Sequence, residues 1–352
     1  MQETTMLCAL CKADFPSSGG ETICTACQAK LTTATETSAR IEFSVPSTIH
    51  TDGAAAKTDK GVSRLGIEKW KSIGSKECRI SIPMSVAVRP PNELLLLDEP
   101  DEYRILRFDN QGLCLGVFMH IPIGEDDGSV DDPMGLCVDA SGRIFIPDAG
   151  NDCIAIWNAD GTFSHSVGRT GTGPGEFAHP TDVDVDTDGY LYVADSFNRR
   201  IQKLSEDGLV SLEINQLGDL GEFRNPVAVT IDIEGNIYAG DDDLNVVAIF
   251  SADGKLLDTI PGRKEASDFL DRPSDVRLDG KGALYIADRH NLRIRRLTPK
   301  RRIEAVVDVT GGNGDPVAGG DIALLGECVI IPDAVNECLL CMAFEPVGDF
   351  SS

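Results

Sequence analysis

Residues 171–208 read GTGPGEFAHPTDVDVDTDGYLYVADSFNRRIQKLSEDG. Taken with a period of two, Val183 and Val185 alternate with Asp184 and Asp186, the pattern of a strand with one buried face. Thr187-Asp188-Gly189 is a turn, because Asp bonds its own backbone and Gly accepts positive φ. Tyr190 to Ala194 is a second strand, rich in aromatic and β-branched residues. Asp195-Ser196-Phe197-Asn198 turns the chain again, Arg200 to Leu204 is a third strand, and Asp207-Gly208 closes it. The stretch is a β-meander.

The meander repeats along the chain. The aspartate that ends its second strand recurs as Asp98, Asp148, Asp195, Asp241, Asp288 and Asp333, at spacings of 50, 47, 46, 47 and 45 residues. Pro83, Pro133, Pro180, Pro226 and Pro273 precede the first strand of five repeats; in the sixth the place falls near Val317 to Gly320. A four-stranded repeat of about 40–50 residues is that of a β-propeller, so six repeats predict six blades in an all-β fold. The pattern PxxVxVDxDGxxYVADxxNxRIQ resembles the NHL family, most closely in blade 3 and least in blades 1 and 6. The resemblance implies a six-bladed ring with a funnel-shaped pore, lined by the innermost strand of each blade. The recurring aspartates read as caps of tight turns rather than a catalytic ring, with Asn151, Asn198, Asn291 and Asn336 three residues on. A propeller keeps only short, protected edges once its last blade is complete. The last strand of blade 6 is expected from the N-terminal side of the chain, with Ile41–Val45 as the candidate.

Ahead of the repeats lie two CxxC pairs, Cys8/Cys11 and Cys24/Cys27, twelve residues apart. Four thiolates satisfy tetrahedral zinc with no open position, and a segment this short needs a metal in place of a core. The pattern resembles a zinc ribbon, which makes the zinc structural; a rubredoxin-like iron site uses similar knuckles. RING and B-box modules need about eight ligands for two metals, and only these four are present here. Residues 29–75 are rich in Thr, Ala, Ser, Gly and Lys. The expected organisation is a zinc-ribbon-like module at 1–34, a linker at 35–75 and an NHL-type propeller at 76–352.

The chain has 352 residues and a formal net charge of −25, which opposes binding to nucleic acid or anionic lipid unless a local patch overrides it. No apolar run approaches the ~18 residues of a spanning helix, so no membrane insertion is expected. MQETTMLCALCK lacks the basic-then-apolar pattern of a secretory signal. The eleven cysteines are an odd number, several of them inside predicted strands. Together these features predict a reducing, cytoplasmic setting with metal-bound and core thiols rather than a disulfide framework.

Two groups of residues are candidates for chemistry or recognition. Asp182 and Asp275 stand two residues after Pro180 and Pro273, while other blades place Ser85, Gly135 and Ala228 there. With His179 and His290 they form a candidate pore site, by similarity to the peptidylglycine-lyase and lactonase-like enzymes built on propellers. Between Arg263 and Arg302 there are twelve Lys or Arg against six Asp or Glu, clustering at Arg293, Arg295, Arg296, Lys300, Arg301 and Arg302. That patch is a candidate docking surface for an acidic partner, or for RNA as in NHL domains of the TRIM type. The leading expectation is a non-enzymatic scaffold or adaptor that holds protein partners on the propeller, within a larger complex. The alternatives are a metal-dependent hydrolase or lyase at the pore, and RNA binding through blade 5.

Overall fold

The computed structural model describes residues 5–7, 14–16, 67–70, 78–261, 269–309 and 320–343. The chain divides into two compact units, Met1–Lys57 and Thr58–Ser352. In the first, Thr5–Leu7 pairs antiparallel with Asp14–Pro16, Thr5 opposite Pro16, so the chain joining the two strands carries Cys8 and Cys11. All four paired cysteines, and Ile41–Val45, lie outside the described residues.

The second unit is a ring of six four-stranded antiparallel sheets. The first, innermost strands are Pro83–Arg89, Cys137–Val138, Pro180–Val185, Pro226–Ile231, Pro273–Leu278 and Ala323–Leu325. The second strands are Glu93–Asp98, Ile144–Asp148, Leu191–Asp195, Ile237–Asp241, Leu284–Asp288 and Cys328–Asp333. The second strands are covered on both faces by neighbouring blades, so Leu94 to Leu97 are fully buried without alternation. An apolar cluster fills each junction between blades. The one joining blade 6 to blade 1 sets Ile330 and Leu339 against Ile80, Val86 and Leu96, which closes the ring.

Blade 6 takes its outermost strand from the N-terminal side of the chain, as its incomplete repeat requires. That strand is Ile67–Trp70, with Leu339 opposite Trp70 and Met342 opposite Ile67. A further departure from expectation is a disulfide, Cys78–Cys114, which ties the segment entering blade 1 to that blade's outer strand.

Each recurring aspartate is fully buried. Asp98, Asp148, Asp195, Asp241 and Asp288 each accept a backbone amide from the loop 17 residues earlier: Ser81, Asp131, Ala178, Arg224 and Asp271. The carboxylate thus fastens the loop that enters its own blade and satisfies amides that no ladder reaches. Asn198 and Arg200 add bonds to Asp195, the arginine at 2.8 Å, and Asn291 and Arg293 do the same for Asp288.

Candidate functional site: the central channel

A bulge decides which side chains reach the channel. In four blades the pairing of first and second strands slips just after the leading proline, between Pro83 and Ser85, Pro180 and Asp182, Pro226 and Ala228, and Pro273 and Asp275. Proline has no amide to offer and suits the first residue of a strand. The bulge re-aims the residue two places later.

Asp182 and Asp275 are 5 % and 2 % exposed, and each bridges two blades. Asp182 accepts the Val183 amide of its own strand at 2.9 Å and the Val229 amide of blade 4 at 2.8 Å. Asp275 accepts the amides of Val276 at 2.7 Å and Ile322 of blade 6 at 2.8 Å. Asp321, absent from the sequence-based candidates, repeats the device: it accepts Ile322 N–H at 2.9 Å and Val86 N–H of blade 1 at 3.0 Å, and the Ser85 hydroxyl also bonds to it. All three carboxylates converge on Arg277. Its guanidinium lies 3.1 Å from Asp182, 2.9 Å from Asp275 and 3.4 Å from Asp321.

One turn of the pleat further along, Asp184 repeats the staple. It accepts the amides of Val185 and Ile231 and the Thr230 hydroxyl, and the Cys137 thiol lies 3.8 Å away. Burial pushes Asp182 up to about 6, against the pull of Arg277, and raises Asp275 and Asp184 in the same direction. Burial also raises the Cys137 thiol well above its ordinary value, which keeps it protonated.

Arg277 lines two cavities, one toward each end of the channel. That at the end where the first strands begin has about 170 Å³ and is bordered by Met84, Met134, Asp182, Asp275 and Asp321. That at the opposite end has about 300 Å³ and is bordered by Val88, Leu136, Val138 and Leu278 together with Asp184 and Thr230.

The histidines stand apart from both cavities. His179 has a positive φ of 55°, stacks on Phe197 with ring centroids 4.4 Å apart, and lies 3.7 Å from Asp132. His290 lies 3.7 Å from Asp271 on an exposed turn. The structure therefore brings Asp182 and Asp275 together without His179 or His290. Among the described residues no group of three or more His, Cys, Asp or Glu is arranged to hold a metal ion. Cys8, Cys11, Cys24 and Cys27 are outside that set.

The basic run of blade 5 does not form a surface patch. Arg295 is 2 % exposed, and it bonds with Arg293 to Asp288 and to the Phe269 carbonyl. Arg296 rests against Tyr285 and pairs with Glu304, and Arg301 pairs with Asp258 at 3.0 Å. Lys300 and Arg302 remain exposed. Sequence spacing did not reveal this because alternation along the strand sends Arg293 and Arg295 to the interior, where the recurring Asp288 needs counter-charge.

Residues 125–221 match the model of the DUF5128 family, described as a 6-bladed beta-propeller. No curated protein matches the chain. Among solved structures it is similar to a streptogramin B lyase, at 16 % identity over 80 % of this chain and 88 % of that one, with a TM-score of 0.54. It is similar also to a gluconolactonase from Xanthomonas campestris, at 16 % identity over 80 % and 91 %, TM-score 0.54. The WD40 beta propeller domain of Doa1 aligns at 12 % identity over 80 % and 98 %, TM-score 0.53. At such identities the likeness is one of fold, and in fold the chain is a six-bladed β-propeller.

Proposed function

We propose that the propeller is a non-enzymatic docking platform for partner proteins, and that the N-terminal segment, holding one structural zinc on Cys8, Cys11, Cys24 and Cys27, supplies a second contact. One observation carries the reading: the channel carboxylates are already engaged. Asp182, Asp275 and Asp321 each hold two blades through backbone amides and share a single guanidinium. Hydrolytic chemistry at a pore requires an open metal position or an unencumbered base within reach of substrate. The loops, by contrast, leave large apolar side chains uncovered: Phe197 is 69 % exposed, Val335 59 % and Met134 40 %. These lie on second-to-third turns or on loops entering a first strand, which the Asp148–Asp131 and Asp195–Ala178 bonds fasten together at one face. Loops on a rigid scaffold are where recognition concentrates. The same loops carry Glu125-Asp126-Asp127, Asp131-Asp132 and Asp242-Asp243, so a basic surface on the partner complements them.

Affinity purification of the native protein with mass spectrometry tests this reading. A stoichiometric partner is expected, lost in F197D combined with V335D and retained in D182N combined with D275N, once both variants are shown to melt cooperatively. Absence of any partner, or retention by the surface variant, sinks the docking reading. A hydrolase or lyase activity abolished by the channel variant would replace it.

A further inference from the structure

We propose that Phe197 and Asp132 form a seat for an arginine of the partner protein, an inference that rests on the docking role above and names what docks. The comparison that carries it lies within the chain. At three other rings the protein supplies its own cation: Arg89 stands 4.5 Å from the centroid of Phe118, Arg143 5.2 Å from that of Phe145 and Arg296 5.6 Å from that of Tyr285. Each guanidinium is also held by a carboxylate, that of Glu93, Asp139 and Glu304 in turn. Ring and carboxylate together fix a planar cation, because the ring face attracts its charge and the carboxylate takes its N–H groups.

Phe197 offers the same two parts without the cation. Its residue is 69 % exposed, and among the described residues no Lys or Arg lies over its ring, Arg199 of the same turn included. One face stacks on His179, with planes 12° from parallel, which leaves the other face open. Asp132 lies 3.7 Å from the His179 ring with its side chain 58 % exposed, and among the described residues it pairs with no Lys or Arg. Other carboxylates surround it. Asp152 accepts the His179 amide, and burial, then the charge of Glu99, Asp132 and Asp131, pushes the Tyr103 phenol up, as expected of acids gathered in one sector. The seat is preformed: the Phe197 amide donates to the Ala178 carbonyl at 3.1 Å and the His179 amide to Asp152 at 2.7 Å. Little ordering is then left for binding to oppose. A lysine brings charge but no plane to lay on the ring, and an anion meets only carboxylates.

Calorimetric titration of the full chain at pH 7.5 and low salt compares three capped peptides: Gly-Arg-Gly-Arg-Gly and its lysine and citrulline counterparts. Citrulline keeps the shape and loses the charge; lysine keeps the charge and loses the plane. The arginine peptide is expected to bind about tenfold more tightly than the citrulline peptide and about threefold more tightly than the lysine peptide. F197A should make arginine and lysine equal, F197W should keep their difference, and D132N should weaken both while leaving citrulline unchanged. Because Phe197 is exposed, these variants should melt as the wild type does, which is checked first. Equal binding of arginine and lysine by the wild type overturns the seat, as does a preference that survives F197A, or no binding of the arginine peptide. The two readings fail separately. A captured partner with no arginine preference removes the seat and keeps the platform; an arginine preference with no captured partner keeps the seat and removes the platform.

Discussion

Arg277 sets one guanidinium against carboxylates from blades 3, 5 and 6, so its removal leaves three charges without an answer. Taking one member from a buried ionic network costs about 3–5 kcal/mol. R277M is accordingly expected to lower the melting temperature by well over 5 °C at pH 7.5 and to recover part of the loss at pH 5, where the carboxyls take up protons. A full loss that persists at pH 5 argues against electrostatics as the cause. The wild type has its own pH signature. The carboxyl of Asp182 titrates at about 6 in the fold, above its ordinary 3.8, so the folded state holds the proton more tightly. The contribution of this group to stability is then fullest below pH ~4 and declines as pH rises through ~6. Asp275 and Asp184 shift the same way. Acidifying from pH 7.5 to 5.5 should raise the melting temperature, and D182N should flatten that slope. At this scale the sequence was half legible. Asp182 and Asp275 were visible because each follows its proline by two residues. Asp321 was hidden because its blade lacks the proline, although Gly320-Asp321-Ile322 parallels Thr181-Asp182-Val183. Arg277 was lost in a count of basic residues, when its meaning lay in standing two places after Asp275.

The strand Ile67–Trp70 completes blade 6 by pairing with Cys338–Ala343. Deleting residues 65–72 should therefore lower the melting temperature sharply, whereas deleting 35–60 should leave the propeller's melt unchanged; the reverse result would return the closing role to Ile41–Val45. The direction of closure was legible beforehand and its residues were not, for a physical reason. An outermost strand is covered on one side only and needs little apolar content, so Ile67-Glu68-Lys69-Trp70 carries a weaker pattern than Ile41-Glu42-Phe43-Ser44-Val45. The Cys78–Cys114 disulfide was equally invisible, since the spacing of 36 residues matches no motif and only the fold brings the two together. Closing a loop of that length stabilises by about 4 kcal/mol in the chain-entropy model. Treatment with reductant should lower the melting temperature, and C78S with C114S should reproduce the reduced value and no longer respond. Such a bond suits an oxidising compartment rather than the reducing one that the cysteine count suggested.

For the whole molecule, the repeat was the most legible feature. Six aspartates at near-constant spacing mark six blades; five of them perform the same local task, fastening the loop 17 residues before it, and a repeated task leaves a repeated residue. Tertiary charge placement leaves no such trace, which is why the arginines of blade 5 looked like a surface. The proposed zinc carries a prediction of its own: the proposed ligands Cys8, Cys11, Cys24 and Cys27 lie in Met1–Lys57, and the propeller in Thr58–Ser352. Prolonged chelation, or C8S, should release close to one zinc per chain and leave the main melting transition in place; a shift of that transition would mean that the metal supports the ring. Closure by a strand from the other end of the repeats also has a consequence during synthesis. Ile67–Trp70 leaves the ribosome roughly 270 residues before its partner. At about 5–20 residues per second that is a wait of roughly 15–50 s. By the end of that interval the nascent chain carries five blades with no sixth to seal them and Ile67–Trp70 still unpaired, so the ring can close only after its last blade has been made.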